Sequence, residues 1–307
     1  MSRRFSKVAV LMGGGSSESE ISIQSGTAVA AALAEAGYDV SRVVVSKDNA
    51  FVLPEGTEAA FIMLHGAYGE DGGVQADLEK LGVPYVGCGV EASRVSFDKI
   101  LSREAFAAAG VPIPEGYVVR EGEEAAACRL PLPVVVKAPR QGSSVGVSIV
   151  RTEAEWAPAL AEAFRWDGEA VVEAFVPGRE WTVPILGDDT VLPLVEVRPT
   201  VKEGWYDFHA KYSDDAHTGY VFPQDDPADA ELVARASAVA LLAYRAVGGR
   251  GMGRIDIRVR PDGTMAVLEN NSIPGCTAHS ILPKAAEKAG IPFPELCSRI
   301  LESATCG

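Results

Sequence analysis

Four short stretches of this 307-residue chain carry residue types whose spacing could support chemistry. The first occupies residues 13–18 and reads GGGSSE, after an apolar run and before an alanine-rich one. Backbone N–H groups of a glycine loop that opens a helix can bind an anion. The glycines lack the G-x-G-x-x-G spacing of dinucleotide-binding loops. A tight turn, or a helix cap in the case of Glu18, would look the same.

The second stretch is VVVKAPRQGSSVGVSIV, in which Lys137 follows three valines and precedes a loop rich in glycine and serine. A lysine within an apolar run is costly to bury without an anionic partner, and phosphate is a natural one. The alternative is a lysine at a strand end that extends its ammonium to solvent. Residues 141–146 have the composition of a flexible phosphate lid, although a surface hairpin would have a similar sequence.

The third stretch combines Asp256 in GRIDIRV with Glu269 and Asn271 in VLENN. If the two segments are neighbouring strands, they place three oxygen-bearing side chains together, with Arg254 beside them. Mg²⁺ that bridges nucleotide phosphates requires oxygen ligands of this kind from the protein. A solvated acidic face is the alternative, against which the apolar neighbours in both segments argue.

The fourth stretch is Lys211-Tyr212 in DFHAKYSDD, together with HSILP at 279–283. Neither segment would stand out alone. Both acquire meaning only from their order relative to the other three. The surrounding residues 200–220 lack apolar periodicity over a length unusual for a connection, which favours a functional loop.

The elements that must position these residues follow from hydrophobic periodicity. Residues 7–95 alternate short β-branched runs with alanine-rich ones, which predicts a parallel sheet covered by helices. The segment PYVGCG at 84–89 is predicted to be a short strand of this part. From residue 111 to 176, four strand-like runs and one helical run at 152–166 predict a smaller α+β unit. Further strands, a long helix near 228–248 and the apposed strands GRIDIRV and MAVLEN complete the chain. The expected fold class is therefore α/β and α+β.

Charge and cysteine usage exclude several classes of function. The chain has 28 Lys and Arg against 42 Asp and Glu, a net charge of −14. This charge would repel nucleic acid and anionic membranes, so neither is expected as a partner. No apolar run approaches the ~20 residues of a membrane helix. Five scattered cysteines without a C-x-x-C pair fit reduced thiols and a cytoplasmic location.

Taken in order, the motifs resemble the D-alanine–D-alanine ligase family of the ATP-grasp superfamily over residues 7–302. GGGSSESEISIQSG resembles the N-terminal signature, and LHGAYGEDGGVQADLE resembles the H-G-x-x-G-E-D-G segment. VKAPRQGSSVGVSIV is similar to the glycine-rich loop, KYSDD to the mobile loop and GRIDIRV to the metal strand. LENNSIPGCTAHSILP resembles the C-terminal signature. The resemblance implies an ATP-grasp fold with an N-terminal parallel α/β domain, divided at 1–95, 96–178 and 179–307.

The resemblance also implies a role for individual residues. The nucleotide would be held at its phosphates by Lys99, Lys137, Ser144 and Lys211, and around adenosine by Glu173, Phe175, Val176 and Glu180. Two Mg²⁺ ions, for which Mn²⁺ may substitute, would bind Asp256, Glu269 and Asn271. Glu18 would take the first D-alanine's ammonium and join Ser143 and Tyr212 in a hydrogen-bonded trio. Arg254 and the Gly275 N–H would stabilise the oxyanion, while Ser280, Ile281 and nearby His65 would hold the second D-alanine.

The implied reaction is ATP-dependent joining of two D-alanines through a D-alanyl phosphate, for peptidoglycan precursor synthesis, by a homodimer. Ala138, Gln141, Ser272 and Cys276 depart from the family's usual residues, but none removes a ligand. Two alternatives stay open at this point. One is a ligase that makes D-alanyl-D-lactate or D-alanyl-D-serine. The other is an ATP-grasp protein that binds without catalysing.

Overall fold

The structure is a computed structural model that describes residues 3–123, 127–198, 219–277 and 280–307. Lys211 and Tyr212, and His279 of HSILP, lie outside the described residues. Three sheets with helices on their faces make up the described part, and each has its own apolar cluster.

The first sheet is parallel, as the alternation of strands and helices predicts. Its strand order is β2-β1-β3, and every residue after Lys7 in the central strand is buried. The short strand expected at 84–89 is reduced to single bridges from Tyr85, because glycines interrupt the segment, with Gly87 in the left-handed region. The elements here are β1 (Lys7–Gly13), α1 (Ser19–Glu35), β2 (Asp39–Val45), β3 (Ala59–Ile62), α2 (Gly73–Leu81) and α3 (Val90–Phe97).

The second sheet is antiparallel, with the order β4-β7-β5-β6. One helix covers it through Trp156 and Leu160, and a capping box between Thr152 and Glu155 fixes where that helix begins. The elements are α4 (Lys99–Ala108), β4 (Gly116–Arg120), β5 (Val134–Lys137), β6 (Val147–Val150), α5 (Glu153–Phe164) and β7 (Glu169–Ala174).

The third sheet has six strands, with β9 paired to β8 beside the path β11-β10-β8-β12-β13. Two short 3-10 turns, Pro223–Asp225 and Pro227–Asp229, precede its long helix. The elements are β8 (Arg179–Leu186), β9 (Thr190–Val191), β10 (Val195–Arg198), β11 (Gly219–Val221), α6 (Ala230–Ala246), β12 (Met252–Val259), β13 (Met265–Asn271), α7 (Ile281–Lys288) and α8 (Phe293–Glu302).

The apolar cluster of the first sheet extends across the chain. Leu282, Leu296 and Ile300 from α7 and α8 are buried in the same cluster as Val10 and Phe61 of the sheet. The division at 95 and 178 stays a prediction, and residues 281–302 share their core with the N-terminal sheet. No helix in the described ranges is both long and apolar enough to cross a membrane.

Candidate active site

One face of the third sheet gathers the polar residues that the sequence singles out. Side chains alternate along a strand, so Ile255 and Ile257 face the apolar cluster under α6 and the residues between them face the opposite side. Antiparallel pairing sets Asp256 opposite both Thr182 and Glu269. A bulge at this point adds Leu268 to β13. The polar face comprises Glu180, Thr182, Arg254, Asp256, Arg258, Glu269 and Asn271.

Asp256 is buried and accepts hydrogen bonds from two neighbours. The Thr182 hydroxyl lies 2.9 Å from Oδ1, and Arg254 donates from Nε at 3.0 Å and from a terminal nitrogen at 2.8 Å. The Glu269 carboxylate lies 3.7 Å from the Lys99 ammonium. Each carboxylate therefore faces a cation, and the solvated-face alternative is wrong for Asp256.

Lys137 is buried, which makes the solvent-directed alternative wrong. Its ammonium lies 2.5 Å from Oε2 of Glu173, whose Oε1 lies 2.6 Å from a guanidinium nitrogen of Arg103. Burial by itself raises the pKa of Glu173, but the charges of Lys137 and Arg103 outweigh it and hold that pKa below its usual value. The anionic partner expected for Lys137 is thus, in this structure, a carboxylate of the protein.

One open cleft of about 820 Å³ is bordered by Lys99, Lys137, Glu173, Asp256 and Glu269. Its walls are apolar in part, from Val135, Val147, Phe175, Val176 and Leu268. Its polar groups come from the start of α4, from the second sheet with its loop at 141–146, and from the third sheet. Of the residues expected at the nucleotide, the lining includes Lys99, Lys137, Ser144, Glu173, Phe175, Val176 and Glu180. Glu180 lies within the same polar face, 2.9 Å from Arg258.

The loop at 141–146 connects β5 and β6, so it is a hairpin in topology, but it does not extend freely into solvent. The Ser143 hydroxyl donates to a carboxylate oxygen of Glu18, and the Lys99 ammonium donates to the Gln141 carbonyl at 2.7 Å. Ser143 and Ser144 both have positive φ, of 50° and 62°. A Cβ on Gly142 would lie 3.0 Å from Oε2 of Glu18, so the loop and the N-terminal segment meet closely.

Of the two interpretations of the glycine loop before α1, an anion-binding loop and a tight turn, the structure agrees with the tight turn. Gly13 donates to the Ser22 hydroxyl and Gly14 to the Val45 carbonyl, each with positive φ. Their N–H groups are therefore directed at the protein. Glu18 is the residue before the helix, yet its side chain makes no capping bond and turns to Ser143 instead.

Two more titratable groups lie near Glu18. His65 is buried, with Nε2 3.5 Å from the Ser25 hydroxyl, and burial lowers the pKa of its imidazole. Glu70 accepts the Gly66 N–H at 2.7 Å, and burial together with the Glu18 charge raises its pKa to about 8. Sequence reasoning missed Glu70, although it lies in the quoted HGAYGEDG segment.

Gly275 and Thr277 lie close to Ser280, the residue before α7. The Ser280 hydroxyl accepts the Thr277 N–H at 3.0 Å, and a Cβ on Gly275 would lie 2.9 Å from that hydroxyl oxygen. Ile281 is buried at the start of the helix. Cys276 is buried completely, and burial raises the pKa of its thiol to about 12.

Comparison with known proteins decides the family. The chain matches the family described as "D-ala D-ala ligase C-terminus" over residues 106–302, and "D-ala D-ala ligase N-terminus" over residues 7–60 and 52–88. This chain belongs to the D-alanine–D-alanine ligase family. The resemblance seen in its motifs is thereby confirmed.

Full-length relatives of this family are similar to the chain throughout. It is 43% identical to a D-alanine–D-alanine ligase of Actinobacillus pleuropneumoniae serotype 5b (strain L20), with 98% of this chain and 99% of the relative covered. It is 45% identical to one from Geotalea uraniireducens (strain Rf4), over 97% of this chain and 95% of the other.

Solved structures of the family share the fold. The crystal structure of a D-alanine–D-alanine ligase from Bacillus anthracis aligns with a TM-score of 0.85 at 34% identity, over 97% of both chains. The VanG D-Ala:D-Ser ligase of Enterococcus faecalis aligns at 0.84 and 26% identity, over 97% of this chain and 98% of that one. The ATP-grasp fold, expected from the motifs, is confirmed.

Proposed function

We propose that this chain joins two D-alanines to D-alanyl-D-alanine with conversion of ATP to ADP and phosphate, by way of a D-alanyl phosphate. The observation that carries the proposal is the Ser143–Glu18 contact, since it brings a loop of the nucleotide cleft against the N-terminal segment. The reaction needs both the nucleotide cleft and the N-terminal segment, because the carboxylate of the first D-alanine must come into contact with the γ-phosphate of ATP. The relatives' names point to the same activity.

The polar face of the third sheet suits Mg²⁺. The described residues hold no cluster of three or more acidic, histidine or cysteine side chains poised around one metal. Mg²⁺ that binds with a nucleotide needs only one or two carboxylates, because phosphate and water oxygens complete its shell. Asp256 and Glu269, in register on neighbouring strands, with the Asn271 amide on the same face, would hold two such ions. Bound there, Mg²⁺ neutralises charge on the transferring phosphoryl group.

The basic residues would bind and orient the nucleotide. Lys99 and Lys137 line the cleft and would hold the phosphates. Phe175 and Val176 would pack on adenine beside Glu173, and Glu180 would accept from the ribose. Ser144, in the loop at 141–146, would also contact the phosphates. Lys211, which lies outside the described residues, would bind the γ-phosphate. Lys99, Lys137 and Lys211 supply the local positive charge that an acidic chain needs in order to bind ATP.

The amino acid sites would lie between the N-terminal segment and the residues Gly275, Ser280 and Ile281. Glu18 would bind the ammonium of the first D-alanine, with Ser143 and Tyr212 completing the closed loop. Ser280 and the Ile281 N–H would bind the carboxylate of the second, next to His65. Arg254 and the Gly275 N–H would stabilise the oxyanion that forms when the amine attacks.

The chemistry proceeds in two displacements. A carboxylate oxygen of the first D-alanine attacks the γ-phosphorus, and ADP leaves. The neutral amine of the second then attacks the acyl carbon, phosphate leaves, and the amine loses its proton. Water would hydrolyse the acyl phosphate, so a loop that closes over the site protects the intermediate.

We also propose the three-part division at residues 95 and 178, assembly as a homodimer and a cytoplasmic location. The reduced, scattered cysteines support the location. Neither the assembly nor the location affects the proposed chemistry.

The test is ATP turnover with D-alanine, L-alanine, D-serine and D-lactate, followed by mass analysis of the product. D-alanyl-D-alanine with stoichiometric ADP is expected. D-alanyl-D-serine or D-alanyl-D-lactate as the main product would contradict the proposed substrate. Nucleotide binding without turnover of any substrate would instead indicate a silent ATP-grasp protein.

A further inference from the structure

Arg103 lies one turn after Lys99 on α4 and is enclosed by the protein. One guanidinium nitrogen contacts Oε1 of Glu173 at 2.6 Å, and another donates to the Pro114 carbonyl at 2.9 Å. A Cβ on Gly116 would lie only 2.8 Å from that second nitrogen, so the β4 backbone leaves the guanidinium little room to move. Arg103 is not among the residues that line the cleft.

Glu173 lies between Arg103 and the cleft. Its two oxygens are divided between two cations, Oε1 towards Arg103 and Oε2 towards Lys137. Each carboxylate oxygen carries a second lone pair, so both can accept a further hydrogen bond. With two cations on different sides, the carboxylate is fixed in one orientation and remains ionised at neutral pH.

The surroundings of Glu173 fit a flat heterocycle. Val135, Phe175, Val176 and Leu268 contribute apolar surface to the same cleft. A buried carboxylate at the edge of such a slot accepts a hydrogen bond from an exocyclic amine and repels an exocyclic carbonyl. This distinction separates adenine from hypoxanthine, which carries a carbonyl where adenine has its amino group.

We propose that Arg103 is a positioning residue that sets the preference for the nucleotide base by fixing the Glu173 carboxylate. The proposal rests on the nucleotide cleft of the proposed function and adds a residue outside the cleft to it. Arg103 contacts neither ATP nor D-alanine. Its effect reaches the base through one carboxylate oxygen and is separate from the action of Lys99 on the phosphates.

Loss of Arg103 removes one of the two cations that hold Glu173. The carboxylate then has Lys137 as its only cationic partner among the contacts described here, and Lys137 also has to meet the phosphates. Glu173 turns towards Lys137 or takes up a proton. In either case its hydrogen bond from the exocyclic amine of adenine weakens. ATP therefore loses affinity, whereas ITP, which Glu173 repels, loses little or gains.

The experiment compares ATP with ITP in Arg103→Met, Arg103→Lys and wild type. The ratio of kcat/KM for ATP to that for ITP should fall about tenfold in Arg103→Met, the scale expected for a lost hydrogen bond to a charged group. Arg103→Lys keeps the charge with a single donor group and should give an intermediate ratio. KM for D-alanine should stay near the wild-type value in both variants.

Arg94→Met is the matched control, because Arg94 also pairs with a glutamate on a helix but lies at the exposed surface. A ratio rather than a rate is measured, since a fold defect lowers the active fraction equally for both nucleotides. An unchanged ATP-to-ITP ratio in both Arg103 variants would overturn the proposal.

Calorimetric binding of ATP and ITP with Mg²⁺ keeps the two proposals separate. It requires no ligation, so it reports on Arg103 even if the wild type forms no dipeptide. If the wild type fails to turn over D-alanine but the ratio of ATP to ITP affinity still falls in Arg103→Met, the result contradicts the proposed function alone. Wild type that makes dipeptide while all variants bind ATP and ITP in the same proportion would contradict the role of Arg103 alone.

Discussion

Substitution of Asp256 by asparagine should abolish ligation and also destabilise the protein, for separate reasons. Asp256 accepts two hydrogen bonds from Arg254 and one from Thr182, and both members of the ion pair are largely buried. Asparagine keeps an acceptor for the hydroxyl, but it removes the carboxylate charge from the ion pair with Arg254. Activity is lost because the proposed metal site also loses this charge.

The size of the structural effect follows from burial. Removal of one partner from a buried ion pair costs about 3–5 kcal/mol. The Arg254 side chain keeps 16% of its exposure, so some solvent screening remains and the lower end applies. We therefore expect Asp256→Asn to lower the free energy of unfolding by about 3 kcal/mol.

The double variant Asp256→Asn with Arg254→Met separates the two effects. It also removes the guanidinium that faces the substituted residue, so stability should recover by about 2 kcal/mol relative to Asp256→Asn, a coupling of the size that contacting residues show. Activity should stay lost, because both residues have proposed roles in catalysis. Urea unfolding followed by circular dichroism measures stability, and phosphate release with D-alanine measures activity.

Two results would refute this reasoning. The first is additivity: if the changes in the free energy of unfolding caused by Asp256→Asn and by Arg254→Met alone sum to that of the double variant within about 0.5 kcal/mol, the Arg254–Asp256 pair does not stabilise the fold. Near-normal metal-dependent activity in Asp256→Asn would mean that this carboxylate is not part of the metal site.

Three further predictions concern the surrounding residues. Ser143→Ala removes a hydrogen bond to the Glu18 carboxylate and should lower kcat/KM for D-alanine by roughly ten- to a hundredfold; unchanged kinetics would argue against the loop contact. Because Glu70 has a folded-state pKa of about 8, above its ordinary 4.5, the folded protein keeps a proton that the unfolded chain releases between these values. The free energy of unfolding should therefore fall from pH 4.5 to 8 more steeply in wild type than in Glu70→Gln, as urea unfolding at several pH values would reveal. Iodoacetamide should leave the buried Cys276 unmodified and alkylate the exposed Cys306 without loss of activity, and peptide mapping that finds Cys276 alkylated in the folded protein would contradict this.

The sequence predicts elements well where periodicity is strong and local. The runs that became β5, β8 and β12 read as strands because their apolar residues form continuous or alternating patterns. The alternation of Ile255 and Ile257 with Arg254 and Asp256 also predicts a two-faced strand. The segment at 84–89 does not form a strand, since its glycines lack the side chains that pack a strand.

Partners across the sheet are harder to predict, because they depend on register. The buried Lys137 required an anion, but Glu173 is its partner only because β5 and β7 pair with Val135 opposite Glu173 and Lys137 opposite Val171. This register places the two charged side chains on one face as diagonal neighbours. Arg103 reaches the same carboxylate from a helix, and no repeating pattern in the sequence marks that contact.

Contacts between distant segments were not predictable for a related reason. The apolar faces of α7 and α8 indicate only that these helices pack against something. Both helices bury residues in the apolar cluster of the first sheet, which lies far away in the sequence, and no local pattern predicts that contact. The roles of Lys211 and Tyr212 rest on the family resemblance alone.

The shared core of α7, α8 and the first sheet has a consequence for biosynthesis. The strands up to Ile62 leave the ribosome roughly 200 residues before α7 does, a delay of about 10–40 s at ordinary translation rates. During that time the apolar face that later receives Leu296 and Ile300 stays uncovered. Glu302, which binds the Arg4 backbone and the Tyr38 hydroxyl, arrives last of these contacts. Nascent chains of this protein therefore expose an apolar surface until α8 has emerged, and chaperones that bind such surfaces have most to protect in that interval.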